Sequence, residues 1–459
     1  LTLNSMMFFT IFFTFFPLYY ISKKWKWVLL LLFNYYFYII AMPSHVLTIL
    51  ITSISTYIAA IIIEKIKNPK YKKIFTGISI LSFLFVLIYF KYSNFLLKSL
   101  GFTIDNKIKT LIAPIGISFY TLQVISYLVD VYKGKLKAEK HLGHLLIFVS
   151  FFGTILSGPI ERAIDFLPQL KKKITLNFDL VFDGLKLVIE GLFLKVAVAD
   201  KFGVFVDAIY NNPSQYKGYP LILATLLFGL QLYTDFNGYS LMAKGFSQML
   251  GLKIMDNFNN PYFSKSIREF WRRWHISLSF WFRDYVYIPL GGKKVSTLRG
   301  CFNRLVVFTV SGLWHGANWT FILWGFLHGF YQSFSLVIHK LFPNKKSAPK
   351  LIQIIITYLL ANFAWIFFRA NTMSDGLYIC KNLFRHIKPL NLHYLLNIIT
   401  SKQLITFFIL IIFIFILDYI KEKSIKLPLI VNIIIYTIML LGILCLGNPS
   451  ESSFIYFNF

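Results

Sequence analysis

The sequence predicts an all-α integral membrane protein with roughly ten to twelve transmembrane helices, because apolar runs near bilayer-spanning length recur along the whole chain. Composition agrees: 57% of the 459 residues are hydrophobic, 19% are aromatic and only 14% are charged. A water-soluble domain carries about 25% charged residues.

The runs, in order, are Met6–Ile21, Val28–Ala41, Val46–Ile63, Ile74–Phe90, Leu111–Val131, Leu180–Val198, Leu221–Phe236, Phe321–Ile338, Ile352–Phe368, Leu404–Leu417 and Leu427–Leu446. Backbone in lipid must satisfy its own hydrogen bonds, so each run is read as a helix. Some are short, and neighbouring protein must cover their ends. The first has no basic segment before it and no small-residue cleavage site, and is read as a retained span rather than a signal peptide.

A net charge of +28 raises the possibility of nucleic acid. The basic residues instead sit in short clusters between apolar runs, as at Lys23/Lys24/Lys26, Lys65 to Lys73 and Lys171 to Lys173, which is how membrane-flanking loops look. No nucleic-acid-binding motif accompanies them, so a nucleic-acid partner is excluded. The first loops alternate between basic and uncharged, and the positive-inside rule places the N-terminus outside the cytoplasm. Cys301, Cys380 and Cys445 lie far apart, with neither disulfide nor metal-ligand spacing, so no metal site is expected.

Texture divides the chain into three. Residues 1–110 are simple spans with basic loops. Residues 111–340 mix apolar stretches with Gly, Pro, Asp, Arg, His and Trp. Residues 341–459 return to simple spans and close on an aromatic tail. Polar and ionisable groups inside a membrane are expensive, so the middle segment is where chemistry is expected. Its Gly/Pro-broken helices suggest re-entrant elements lining a cavity.

Within Arg268–Tyr285, Trp271, Trp274, Leu278, Trp281 and Tyr285 follow the spacing of one helical face. Arg268, Arg272, His275 and Ser279 make another. The pattern predicts one basic amphipathic helix in a membrane interface, its Arg stripe suited to lipid phosphates or an anionic ligand such as a nucleotide pyrophosphate. Pro289-Leu290-Gly291-Gly292 then turns the chain. In Ser311–Trp319, His315 stands between Trp314 and Gly316; it is either a satisfied core histidine or a general base. His328 reads as packing or support. Asp235, near the end of an apolar run, needs a partner, for which the arginines of the amphipathic helix are candidates. Ser157–Arg162 is a broken helix end with an adjacent acid–base pair, Glu161 and Arg162.

Phe270–Gly292, containing Trp271-Arg272-Arg273-Trp274-His275-Ile276-Ser277, and Leu313-Trp314-His315-Gly316 resemble the signatures of the membrane-bound O-acyltransferases, in particular the bacterial branch that O-acetylates polysaccharides. Pro114–Phe119, Ser126–Tyr132, Gly158-Pro159-Ile160, Asp256–Tyr262 and Trp365–Ala370 resemble that branch too. The chain departs from it at Leu241, where an acidic residue is expected, so no carboxylate role carries over there. The resemblance implies a ring of helices around a central tunnel, with no bound cofactor. It also implies a reaction in which acetyl from cytoplasmic acetyl-CoA is delivered outside, His315 being the catalytic histidine and His275 the second motif histidine. Arg268 and Arg272 are then candidates for the donor's phosphates.

The tail Phe454-Ile455-Tyr456-Phe457-Asn458-Phe459 resembles the tyrosine motif of the small partner protein in teichoic-acid D-alanylation, which implies that Tyr456 relays the acyl group. Its alternative is an aromatic interfacial anchor. The expected partners are acetyl-CoA, membrane lipid and a secreted or periplasmic O-acetyltransferase, in the cytoplasmic membrane of a bacterium. Peptidoglycan is the favoured glycan, with alginate or another exopolysaccharide as alternative. A transporter or flippase is the competing class, but it should show repeat symmetry, and none is visible.

Overall fold

A computed structural model describes residues 2–102, 112–156, 158–343, 348–385 and 398–447, and none of these forms a strand. Ser157 and the tail with Tyr456 lie outside the described residues. The helices are α1 (Met6–Ile21), α2 (Lys26–Ala41), α3 (Val46–Lys65), α4 (Pro69–Leu87), α5 (Ser93–Ser99), α6 (Ile117–Tyr132), α7 (Leu142–Ser150), α8 (Phe152–Ile155), α9 (Ala163–Leu170), α10 (Phe178–Leu192), α11 (Asp200–Tyr210), α12 (Tyr219–Met249), α13 (Ile267–Arg273), α14 (Ile276–Phe282), α15 (Thr297–His315), α16 (Trp319–Leu341), α17 (Lys350–Arg369), α18 (Met373–Asn382), α19 (Ser401–Glu422) and α20 (Leu429–Leu446).

Many of them start where a small polar side chain precedes an apolar run. Ser5 accepts from the Phe8 amide, Asn68 from Lys70 with Pro69 behind it, Ser266 from Glu269, and Asn318 from Thr320. Thr400 and Gln403 cap each other's backbone at α19. Each cap satisfies an amide that the helix itself leaves unbonded.

Among the described residues, seven helical segments are long and apolar enough to cross a membrane: Pro43–Lys65, Pro69–Ser99, Tyr219–Met249, Trp319–Leu341, Lys350–Arg369, Ser401–Glu422 and Leu429–Leu446. This is a multi-pass helical membrane protein. The remaining apolar runs take other forms. Helices α1, α2 and α6 have 16 residues each, about 24 Å of helix against a hydrocarbon core of about 30 Å. In α6, 14 residues are buried, so its apolar character serves protein packing. Helix α20 is the opposite case: only Met439 is buried, and Leu429, Ile430 and Leu444 are more than 70% exposed. Such a face belongs in lipid.

Packing defines two units, Leu1–Val188 with Tyr239–Asp256, and Ile189–Gly238 with Asn257–Phe459. In the first, Phe8, Phe12, Phe33, Phe152 and Phe246 make a cluster of edge-to-face and tilted rings, with Phe12 and Phe246 centroids 4.6 Å apart. The Tyr20 hydroxyl donates to the Met249 carbonyl at 2.8 Å. The buried carboxylate of Glu161 accepts the Met255 amide.

In the second unit, α15 and α16 form a hairpin whose backbones nearly touch. A Cβ on Gly312 would sit 2.2 Å from the Phe321 carbonyl oxygen, and one on Gly325 2.2 Å from that of Phe308. Gly325 and Gly329 are four apart on α16, the small-residue spacing that allows close helix approach in membranes. The ammonium of Lys195, only 2% exposed, lies 2.8 Å from both Asp200 and Asp235. Asp235 thus has a lysine partner, and the expected pairing with the α13 arginines is corrected. Arg268 and Arg272 are exposed on α13, whereas Lys195 sits buried in a π-turn between α10 and α11.

Candidate active site

The segment expected to be one amphipathic helix is two helices, α13 and α14, broken at His275. His275 has φ 40° and ψ 57°, a left-handed conformation uncommon for a residue with a Cβ. Long-range hydrogen bonds hold it there. The Ile276 amide donates to the Asn257 carbonyl and the Asn259 amide to the Arg273 carbonyl, each at 2.9 Å. The loop segment 257–260 therefore supplies partners that a continuous helix would have found within itself.

This break corrects two expectations. Arg268, Arg272, His275 and Ser279 do not form one stripe: Arg268 and Arg272 are exposed, and His275 is fully buried. The tryptophan side does not rest in a lipid interface either. Trp271, Trp274, Leu278 and Trp281 are each 6% exposed or less, enclosed by protein that includes Trp324 and Trp365. After α14 the chain passes through a π-turn, and Gly291 (φ 107°) and Gly292 (φ 56°) make the expected reversal with backbone angles that favour glycine.

His275 meets the ring of Phe236 edge-on at 4.7 Å and lies 6.3 Å, centroid to centroid, from His315. Its Nδ1 is 3.3 Å from the side-chain oxygen of Asn257, which also accepts the Ser277 hydroxyl at 2.7 Å. Enclosure in protein disfavours a charged imidazolium.

His315 ends α15 and is 3% exposed. Trp314, Trp324 and Phe368 surround its ring at 5.0, 5.0 and 5.4 Å. Gly316 is required beside it, because a Cβ there would fall 2.2 Å from the Phe321 ring. His328 is also fully buried, and its Nδ1 accepts the Trp271 indole N–H at 3.2 Å. It supports the aromatic packing, in line with its sequence reading.

A cavity of about 860 Å³ opens in the same unit. Its walls include Arg268, Arg272, Arg283, Lys293 and Arg304, with Trp271, Leu278, Phe280 and Phe308 as apolar lining. Neither histidine lines it, but Ser311, one turn before His315 on α15, and Leu278, three residues after His275, both do. The arginines Arg268 and Arg272 and the hydroxyl residue Ser279 are thus brought together. Arg304 and Lys293 were not singled out in sequence, because nothing local ties them to Arg268; the turn at Gly291-Gly292 does.

Fold and site together define a class: a multi-pass helical membrane protein with two buried histidines close together and a strongly basic cavity on the helices that carry them. Residues 140–374 match the sequence model of the membrane-bound O-acyltransferase family, and the chain belongs to that family, a family of acyltransferases. It is 34% identical over 360 residues to the peptidoglycan O-acetyltransferase of Helicobacter pylori, covering 71% of this chain and 68% of that protein. It is 39% identical over 300 residues to a probable alginate O-acetylase of Azotobacter vinelandii, covering 63% and 58%. To the teichoic acid D-alanyltransferase of Bacillus subtilis it is 32% identical over 276 residues, covering 56% and 69%. The chain thus spans between about a half and two thirds of the length of the alginate relative, and slightly over two thirds of the other two.

Proposed function

We propose that the protein is an O-acetyltransferase of a bacterial cytoplasmic membrane, which takes acetyl from acetyl-CoA for the O-acetylation of an envelope or exported polysaccharide. The observation that carries this reading is the placement of His275 and His315, 6.3 Å apart, on the helices that wall the basic cavity. Its arginines suit the phosphates of a nucleotide thioester, since guanidinium binds phosphate with paired, charge-assisted hydrogen bonds. In the reaction, a neutral His315 takes the proton of an acceptor hydroxyl. The freed oxygen attacks the thioester carbonyl, the carbon–sulfur bond breaks, and the thiolate leaves and recovers the proton. The products are an acetyl ester and a free thiol.

Peptidoglycan is the favoured glycan, because the relative named for it matches the larger share of this chain, 71% against 63%. The higher identity of the alginate relative, 39% against 34%, supports exopolysaccharide as the second reading. A relay on Tyr456 and hand-over to a secreted or periplasmic O-acetyltransferase complete the proposal. The test is deletion of the gene, followed by release of ester-linked acetate from purified peptidoglycan and from exported polysaccharide. Loss from peptidoglycan alone supports the first reading, loss from the exported polymer alone the second. Unchanged acetate in both overturns the proposal.

A further inference from the structure

The segment 257–260 does more than brace the backbone. The side-chain oxygen of Asn257, a residue only 2% exposed, faces two groups at once: the Ser277 hydroxyl at 2.7 Å and His275 Nδ1 at 3.3 Å. An amide oxygen accepts hydrogen bonds and cannot donate them. Nδ1 must then carry its proton, and in a neutral imidazole that leaves Nε2 as the lone-pair nitrogen. The left-handed backbone at His275 and the edge of the Phe236 ring at 4.7 Å restrict the ring's orientation further.

We infer that Asn257 is a positioning residue that fixes His275 as the Nδ1–H tautomer, so that His275 presents an acceptor, not a donor, to the reaction. The consequence for chemistry is specific. A neutral His275 held this way cannot donate from Nε2 to the oxyanion formed on the thioester carbonyl. It can accept from a second, neighbouring hydroxyl of the acceptor, and so orient the acceptor while His315 removes the proton of the attacking hydroxyl. The inference rests on the acyl-transfer reading given above.

The experiment compares four variants of the purified protein, assayed for acetyl-CoA consumption with a glycan acceptor. Asn257→Leu removes the acceptor and should lower kcat by about ten- to a hundredfold, since misdirecting a catalytic histidine is costly, with KM for acetyl-CoA within twofold. Asn257→Asp keeps the accepting oxygen but loses the amide donor, and should restore most of the lost kcat. His275→Gln should be impaired, and adding Asn257→Leu to it should cost less than twofold more, because Asn257 acts through His275. Wild-type kcat in Asn257→Leu overturns the inference, as does an Asp variant that folds but is no better than Leu. If the Asp variant does not fold, the double variant decides, and a full multiplicative loss there overturns the inference. Full activity in His275→Gln is a separate failure: it removes His275 from the chemistry and with it the acyl-transfer assignment of this pair.

Discussion

Arg273, the last residue of α13, places both terminal guanidinium nitrogens on the carboxylate of Glu422 at the end of α19, at 2.6 and 3.1 Å. Glu422 also accepts from Asn260 at 3.3 Å, and Arg273 binds Glu269 at 2.8 Å. One carboxylate therefore ties the last residue of α13 to the 257–260 segment that holds the His275 break. Glu422→Gln should lower stability by about 1–3 kcal/mol, as expected for a half-buried charged hydrogen bond, read as a lower midpoint of thermal unfolding in detergent. Arg273→Gln should do the same. If the two losses add fully in the double variant, the residues do not act as a pair.

His315→Ala should insert and purify normally while acetyl transfer falls by about 10²–10⁴-fold, the usual cost of losing a general base. The check is labelled acetate transferred from acetyl-CoA by vesicles containing equal amounts of protein. Retention of more than about a tenth of the activity would sink the assignment.

Arg268 and Arg272 are exposed on the cavity wall, where no carboxylate is among the lining residues. Replacing both with Gln should raise the Kd for acetyl-CoA about tenfold or more, since each phosphate contact is charge-assisted, and should weaken the salt dependence of binding. Unchanged affinity in a folded double variant would leave these arginines as lipid anchors.

Tyr456→Phe separates the two readings of the tail by removing one oxygen. A relay requires the phenol, whose ordinary pKa near 10 demands a base such as His315. In the relay reading glycan acetylation is lost and acetyl-tyrosine accumulates in the wild type when the secreted partner is absent, detectable by mass spectrometry. Full activity in the variant favours the interfacial anchor.

The α15–α16 hairpin offers a packing test. Gly325→Ala pushes a methyl group against the Phe308 carbonyl and should destabilise by about 1–3 kcal/mol, the range for overpacking. Gly77→Ala on α4, where a Cβ meets nothing within 4 Å, should instead stabilise slightly, by about 0.5–1 kcal/mol. Equal effects at the two positions would mean that the helices are not in contact as described.

From sequence alone came the membrane helices, the Gly291-Gly292 turn, the choice of residues 111–340 as the place where chemistry is expected, and the resemblance carried by Trp271–Ser277 and Leu313–Gly316. These are local properties: run length, backbone permissiveness and residue spacing. Three things were decided only by the tertiary structure. A 3.6-residue pattern runs unbroken through Trp274 and His275, so nothing local announces a break that depends on hydrogen bonds to Asn257 and Asn259. An apolar face looks the same whether it meets lipid or protein, because both are apolar; only packing shows Trp271, Trp274 and Trp281 enclosed and α20 bare. Charges in the chain can pair in many ways, and it is the fold that brings Lys195 to Asp235 and Glu422 to Arg273.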